Sequence, residues 1–323
     1  MDGNGMCGAV LISKRFVLTA AHCIRSDNDF QIGITERTDG HGSIHHEYTY
    51  KWGLVHPNYD AARSDYDIAL FELNEDVLDG MPYIRLGEIP VETPGTPMTV
   101  IGFGDTDPSD SLNLSTSLLQ TTVDYIPQGE CNPRLCAALK RKNIGMYSTM
   151  ETCVGWEMVR SSMMCAYTEA GGECQGDSGG PLILEGTGIG EDFLVGLVSW
   201  GFDCAGESPS VYTRISHVYD WIVRSMCAMN PDGLPSDVDC GSGIHTLPSD
   251  SNLVYPKDYT DINLHNKSKR GRILYIGLAV AVIVAVALIA YIFIQRRNKA
   301  KMQLWRARPV PASAKPCENG DLI

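Results

Sequence analysis

Gly176-Asp177-Ser178-Gly179-Gly180-Pro181 decides how the rest of this 323-residue chain is read. Alone it is a Gly/Pro-rich turn. Two upstream blocks give it a chemical meaning: Thr19-Ala20-Ala21-His22-Cys23 and Asp67-Ile68-Ala69-Leu70. A hydroxyl is a poor nucleophile until a base takes its proton, and the base must be held in one tautomer by a third group. Ser178, His22 and Asp67 supply those three functions, in the chain order His, Asp, Ser.

That order is the one found in chymotrypsin-type enzymes. In these blocks the chain resembles the trypsin/chymotrypsin family of serine proteases. The likeness extends over residues 7–226, through Cys7-Gly8-Ala9-Val10-Leu11-Ile12-Ser13, His56-Pro57-Asn58-Tyr59, Val198-Ser199-Trp200-Gly201 and Val211-Tyr212-Thr213-Arg214. It implies an all-β protease domain over residues 1–228, with two packed antiparallel six-stranded β-barrels, a cleft between them and a C-terminal helix. Short Val/Ile/Leu/Thr/Tyr runs broken by Gly, Pro, Asn and Asp agree with that class. Polar residues 105–117 suit a crossover between barrels. Val218, Trp221, Ile222 and Met226 fall at helical spacing within residues 217–226.

The resemblance also assigns roles. Ser178 is the expected nucleophile, His22 the general base and Asp67 its orienting carboxylate, while Asp65 is a decoy two residues too early. The N–H groups of Gly176 and Ser178 are expected to form an oxyanion hole, with glycine at 176 to aim its N–H inward. Ser199, Trp200 and Gly201 are expected to bind the substrate, Ser199 and Gly201 through its main chain as an added strand. The specificity pocket departs from trypsin. Gly172 stands where trypsin has the aspartate that binds Lys or Arg, and Glu173 follows it. Glu173 either reaches the pocket floor and accepts a cation or turns to solvent, and Ser210 adds bulk where the family has glycine. The reading leans to cleavage after Lys or Arg.

Ten of the eleven cysteines precede residue 241, which suits an oxidising compartment. The family pairing implies Cys7–Cys23, Cys174–Cys204 and Cys131–Cys165. A stretch longer than the family's lies between Cys131 and Cys165, with its own Cys136 and Cys153 and a basic run, Lys140-Arg141-Lys142. A nested Cys136–Cys153 bridge is expected, with Cys153–Cys165 as the competing arrangement. Cys227 and Cys240 remain to close the following segment onto the domain.

Residues 273–294 carry no charge, long enough for a helix to cross a hydrocarbon core of about 30 Å. Residues 229–272 read as an extracellular stalk and residues 295–323 as a short basic cytosolic tail. Cys317 alone lies beyond the span, where reducing cytosol would keep it a thiol. Residues 1–264 hold 15 Lys+Arg against 37 Asp+Glu, a net of −22. This argues against a nucleic-acid partner and serves either to steer cationic substrates or to maintain solubility. Asn113-Leu114-Ser115 is a glycosylation acceptor pattern. No cofactor is called for, and His41, His45, His46 and Glu47 read as a solvated loop rather than a metal site.

Residues 1–6 lack the basic start and apolar core of a signal peptide, and no Ile-Val-Gly-Gly-type segment is present. In the family such a segment, freed by an activating protease, gives its ammonium to the aspartate before the nucleophile, here Asp177. The expectation is an upstream activation segment, without which the domain is zymogen-like. The reading is therefore a membrane-tethered serine endopeptidase acting on polypeptides, with a catalytically silent surface binding or receptor protein of the same fold as the alternative.

Overall fold

Alternation along the strands sets the packing. The computed structural model describes residues 6–24, 30–32, 46–106, 113–143, 157–188, 190–202, 204, 208–235, 238–241 and 252–254. In chain order the strands are β1 (Val10–Leu11), β2 (Phe16–Thr19), β3 (Phe30–Ile32), β4 (His46–Tyr48), β5 (Tyr50–Val55), β6 (Ala69–Leu73) and β7 (Arg85–Leu86). Then come β8 (Pro97–Gly102), β9 (Leu119–Ile126), β10 (Met163–Tyr167), β11 (Pro181–Leu184), β12 (Phe193–Trp200), β13 (Ser210–Arg214) and β14 (Asn252–Val254). The helices are α1 (Gln128–Arg141) and α2 (Ile215–Met229).

All four residues of β2 are buried, and their period of two sends them into different cores. Phe16 and Leu18 join Leu54, Leu70 and α2, whereas Val17 joins Phe30, Tyr50 and Phe71. The first sheet runs β1-β2-β6-β5-β14, with β3 and β4 as a separate two-stranded ribbon. Among the described residues this half is therefore an open sheet and a ribbon rather than a closed barrel. The second half closes. β8, β9, β10, β13, β12 and β11 pair in turn, and β11 bonds to both β8 and β12, which makes six antiparallel strands. β7 adds to β12 in parallel. Leu194 and Leu197 of β12 pack in the same cluster as Phe16 and Leu18, so the two halves share one core, and the site lies where they meet.

α2 extends the expected helix by a few residues at each end. Ile215, Val218, Ile222 and Met226 bury one face, as i, i+3, i+4 spacing requires. The segment expected as a stalk is partly folded onto the domain. Cys227 bridges to Cys240, and β14 pairs antiparallel with β5, Leu253 opposite Leu54. The chain divides into two units, Met1–Ile262 and Asn263–Ile323, and every described residue belongs to the first. The expected span at 273–294 and the tail at 295–323 lie outside the described residues. Among the described residues no helix is long and apolar enough to cross a membrane.

Candidate active site

The register of β2 on β6 builds the first half of the site. Thr19 lies opposite Ala69, so the chain just after β2 meets the chain just before β6. His22 sits on the single helical turn Ala21–Cys23, and the Cys7–Cys23 bridge anchors that turn. Its Nδ1 is 2.7 Å from Asp67 Oδ2, and its backbone N–H donates to Asp67 Oδ1 at 3.0 Å. The Ser199 hydroxyl donates to Asp67 Oδ2 at 2.6 Å. The Thr213 hydroxyl donates to the Asp67 carbonyl at 2.8 Å. The Asp67 side chain is wholly buried, whereas the His22 side chain is 36% exposed. The carboxylate is thus held out of water while the imidazole can be reached from the cleft. Burial lowers the affinity of His22 for a proton, and the Asp67 hydrogen bond and charge outweigh it, leaving the pKa above its ordinary value.

Backbone bonds fix Ser178 beside that turn. The Gly8 N–H donates to the Ser178 carbonyl at 2.7 Å, and the Gly179 N–H donates to Val198 at 2.7 Å. Cys23 Sγ lies 3.5 Å from the Ser178 carbonyl. Gly176 has φ of +103°, a conformation that favours glycine, and Leu114 Cδ2 lies 2.7 Å from where a Cβ would stand. Among the described residues, the N–H groups of Gly176 and Ser178 donate to no protein acceptor. They are available to an anionic oxygen.

Asp177 turns the other way, into the interior. Its carboxylate accepts from the N–H groups of Gly104 at 2.8 Å and Cys174 at 2.9 Å. Burial raises its pKa, and these two bonds oppose the rise. A Cβ on Gly102 or Gly104 would stand 1.9 or 2.1 Å from its oxygens, so the carboxylate occupies the room that two glycines leave. Asp177, Glu173, Gly102, Leu119 and Thr121 line a cavity of about 400 Å³.

Glu173 faces inward rather than to solvent. It is only 8% exposed, and its Oε2 accepts from the Tyr212 hydroxyl at 2.6 Å. Its Oε1 has no partner among the described residues. Burial pushes its pKa up against the opposing hydrogen bonds of Ser210 and Tyr212. A Cβ on Gly172 would stand 3.6 Å, and one on Gly201 3.8 Å, from the Ser210 hydroxyl. Gly172, Glu173, Gly201 and Ser210 therefore line one small space, fastened by the Cys174–Cys204 bridge. The Trp200 ring lies tilted against Phe202 at 5.4 Å.

The family model described as Trypsin matches residues 1–222. The chain belongs to the trypsin family. Trypsin 5G1 of Aedes aegypti is 35% identical over 233 residues, covering 69% of this chain and 76% of its own length. Hypodermin-A of Hypoderma lineatum is 32% identical over 231 residues, with coverage of 69% and 79%. Serine protease Hayan of Drosophila melanogaster is 32% identical over 236 residues, 67% of this chain but 34% of that protein. On these grounds the protein is a serine endopeptidase, a hydrolase.

Of the positions that the trypsin-family pattern picks out, His22 and Asp67 are in direct contact. Asp65 is engaged elsewhere, with the Ser162 hydroxyl and with Arg160 at 3.6 Å. Cys131–Cys165 forms, which rules out the competing Cys153–Cys165 bridge. Cys136 is disulfide-bonded, and Cys153 lies outside the described residues. Cys7, His22 and Cys23 offer three metal-ligand atoms within 4.8 Å of one another, but both sulfurs are committed to the disulfide. Asn113 is exposed, with its N–H on Asp105 at 3.1 Å. His41 and His45 lie outside the described residues, and His46 and Glu47 fall on β4. The sequence alone shows neither the Ser199 hydroxyl on Asp67 nor α1, which runs from Gln128 into the long interval between Cys131 and Cys165. The spacing of Cys131, Leu135, Ala138 and Leu139, all buried, was the available signal for α1.

Proposed function

We propose that this protein hydrolyses peptide bonds through an acyl-enzyme on Ser178. The contact between His22 Nδ1 and Asp67 Oδ2 at 2.7 Å carries the reading, because it leaves Nε2 as the basic nitrogen. His22 takes the proton from Ser178 Oγ as that oxygen bonds to the substrate carbonyl carbon. The N–H groups of Gly176 and Ser178 stabilise the resulting oxyanion. The C–N bond then breaks, and His22 returns the proton to the leaving amine. A water, deprotonated by His22, releases the acyl group. The Asp67 carboxylate accepts from His22 Nδ1–H and stabilises the imidazolium.

Cleavage after Lys or Arg is the specificity best supported. A buried carboxylate with one oxygen unpartnered lacks what a substrate ammonium or guanidinium supplies. Ser199, Trp200 and Gly201 carry the substrate main chain. Family membership brings with it polypeptide substrates and activation by another protease. The cavity beside Asp177 suits an inserted amino terminus, whose ammonium would give that carboxylate a charged partner. Anchoring through residues 273–294, with the protease domain outside and the C-terminus in the cytosol, is supported by the uncharged run, the flanking Lys and Arg, and the cysteine distribution. Asn113 is proposed to carry a glycan.

Labelling by a fluorophosphonate probe tests the catalytic reading. The activated protein should react, and Ser178→Ala should not. Equal labelling of both proteins would refute it. Extraction of membranes at alkaline pH tests anchoring: the full chain should remain in the pellet and a chain ending at residue 272 should not.

A further inference from the structure

α1 ends beside Phe202. Its last turn carries Lys140 and Arg141, and Lys142 follows as its cap. A lysine that only complemented the helix dipole would reach back to the helix's own last carbonyls. The Lys142 ammonium instead donates to the carbonyl of Phe202 at 2.6 Å, 60 residues away in the chain. Phe202 follows Gly201 directly, and its ring packs on Trp200. A positive charge is thereby fastened one residue beyond the segment proposed to receive the substrate main chain, above an aromatic floor.

The charge around it sharpens the point. Residues 1–264 are strongly acidic, and Lys140-Arg141-Lys142 is the longest unbroken basic run within them. Lys142 thus places a cationic group beside Phe202 in a domain whose net charge is strongly negative. A substrate whose first residue before the scissile bond fills the Glu173 pocket, and which extends along Ser199 to Gly201, advances about 3.3 Å per residue. Its third and fourth residues then lie beside Phe202.

We propose that Lys142, with Lys140 and Arg141 behind it, forms a subsite for acidic side chains at the third or fourth substrate position before the scissile bond. The inference rests on the reading of Ser199–Gly201 as the substrate-binding edge. Glu173 and Lys142 then select opposite charges a few residues apart, an acidic residue followed by Lys or Arg at the cut.

Internally quenched peptides with Arg before the cut, and Glu or Gln at the third and fourth positions, test it on the activated full chain. An exposed ion pair supports a preference for Glu of up to about fivefold in kcat/KM. Lys142→Ala should bring the ratio to unity, Lys142→Glu should invert it, and 1 M salt should abolish it. The same ratio read as Kd on the Ser178→Ala protein separates the subsite from catalysis. A Glu preference in binding without turnover in the wild type would uphold the subsite and refute only the catalytic reading. No preference in the wild type overturns the proposal. An equal loss on both peptides in Lys142→Ala, with the ratio unchanged, also overturns it and leaves Lys142 as a brace for Phe202.

Discussion

Glu173→Gln should make the protein a worse enzyme and a more stable one. The carboxylate is buried, Tyr212 holds one oxygen, and the other has no partner among the described residues. Burial raises its pKa above the ordinary carboxylate value, so the folded state binds the proton more tightly than the unfolded state. Its contribution to stability is then full at pH below the ordinary carboxylate range and is lost as pH rises through the folded pKa. Glutamine keeps an oxygen for the Tyr212 and Ser210 hydroxyls and cannot ionise. The amide nitrogen inherits the unpartnered place, so the gain is the charged share alone, on the order of 1–3 kcal/mol for a buried unsatisfied group. For a domain of this size each kcal/mol moves the midpoint by roughly 2–4 °C. The variant should therefore melt about 2–10 °C higher at pH 8, with the gain shrinking towards pH 4. Losing one partner of a desolvated charge pair costs about 2–5 kcal/mol. This corresponds to a fall of roughly 30-fold or more in kcat/KM on Lys and Arg substrates, with little change on small apolar ones. Calorimetry across pH and peptide-library profiling read the two effects. An unchanged preference for Lys and Arg, together with a lower midpoint at pH 8, would refute the reasoning.

Ser178→Ala and His22→Ala should each remove nearly all peptidase activity without unfolding the domain, since triad members act as a unit; an active-site titration beside a circular-dichroism spectrum checks both. Because His22 must be neutral to act as a base and its pKa is raised, turnover should rise with pH through a midpoint above 6.5. Asp67→Asn should move that midpoint down and lower kcat by about 10⁴; a pH–rate profile with an unmoved midpoint would count against the assignment. His56 is buried, stacked on Tyr66 at 4.5 Å, and its pKa is lowered to about 4, by burial first and by His217 second. Its share of stability is present above the ordinary pKa of 6.5 and should be lost as pH falls from there towards 4. Melting curves across that range should slope downward in the wild type and flatten in His56→Gln.

What was legible in the sequence was what short segments encode. The glycines around Ser178, the block carrying His22 and the run after Asp67 each fix a local backbone, and β pairing then brings them together. α2 was legible because Val218, Ile222 and Met226 keep helical spacing without interruption. α1 was hidden by Pro133 within it. The direction of Glu173 was open because it depends on Tyr212, 39 residues further on. Two closed barrels were expected; β12 and β11 do close the second, while the described strands of the first stop at an open sheet. β14 was missed because a strand of three residues leaves too short a pattern to separate it from a linker.

That strand also governs what a cut in the segment after the protease domain would release, were the chain anchored as proposed. A cut beyond Val254 would release a domain with β5 still flanked by β6 and β14. A cut between Gly241 and Asn252 would strip β14 away and expose a row of unpaired N–H and C=O groups along residues 53–55. Bare strand edges of that kind recruit other strands, including the same edge of a second released copy. A shift of a few residues in the clipping site would then decide whether the enzyme diffuses away as single molecules or self-associates.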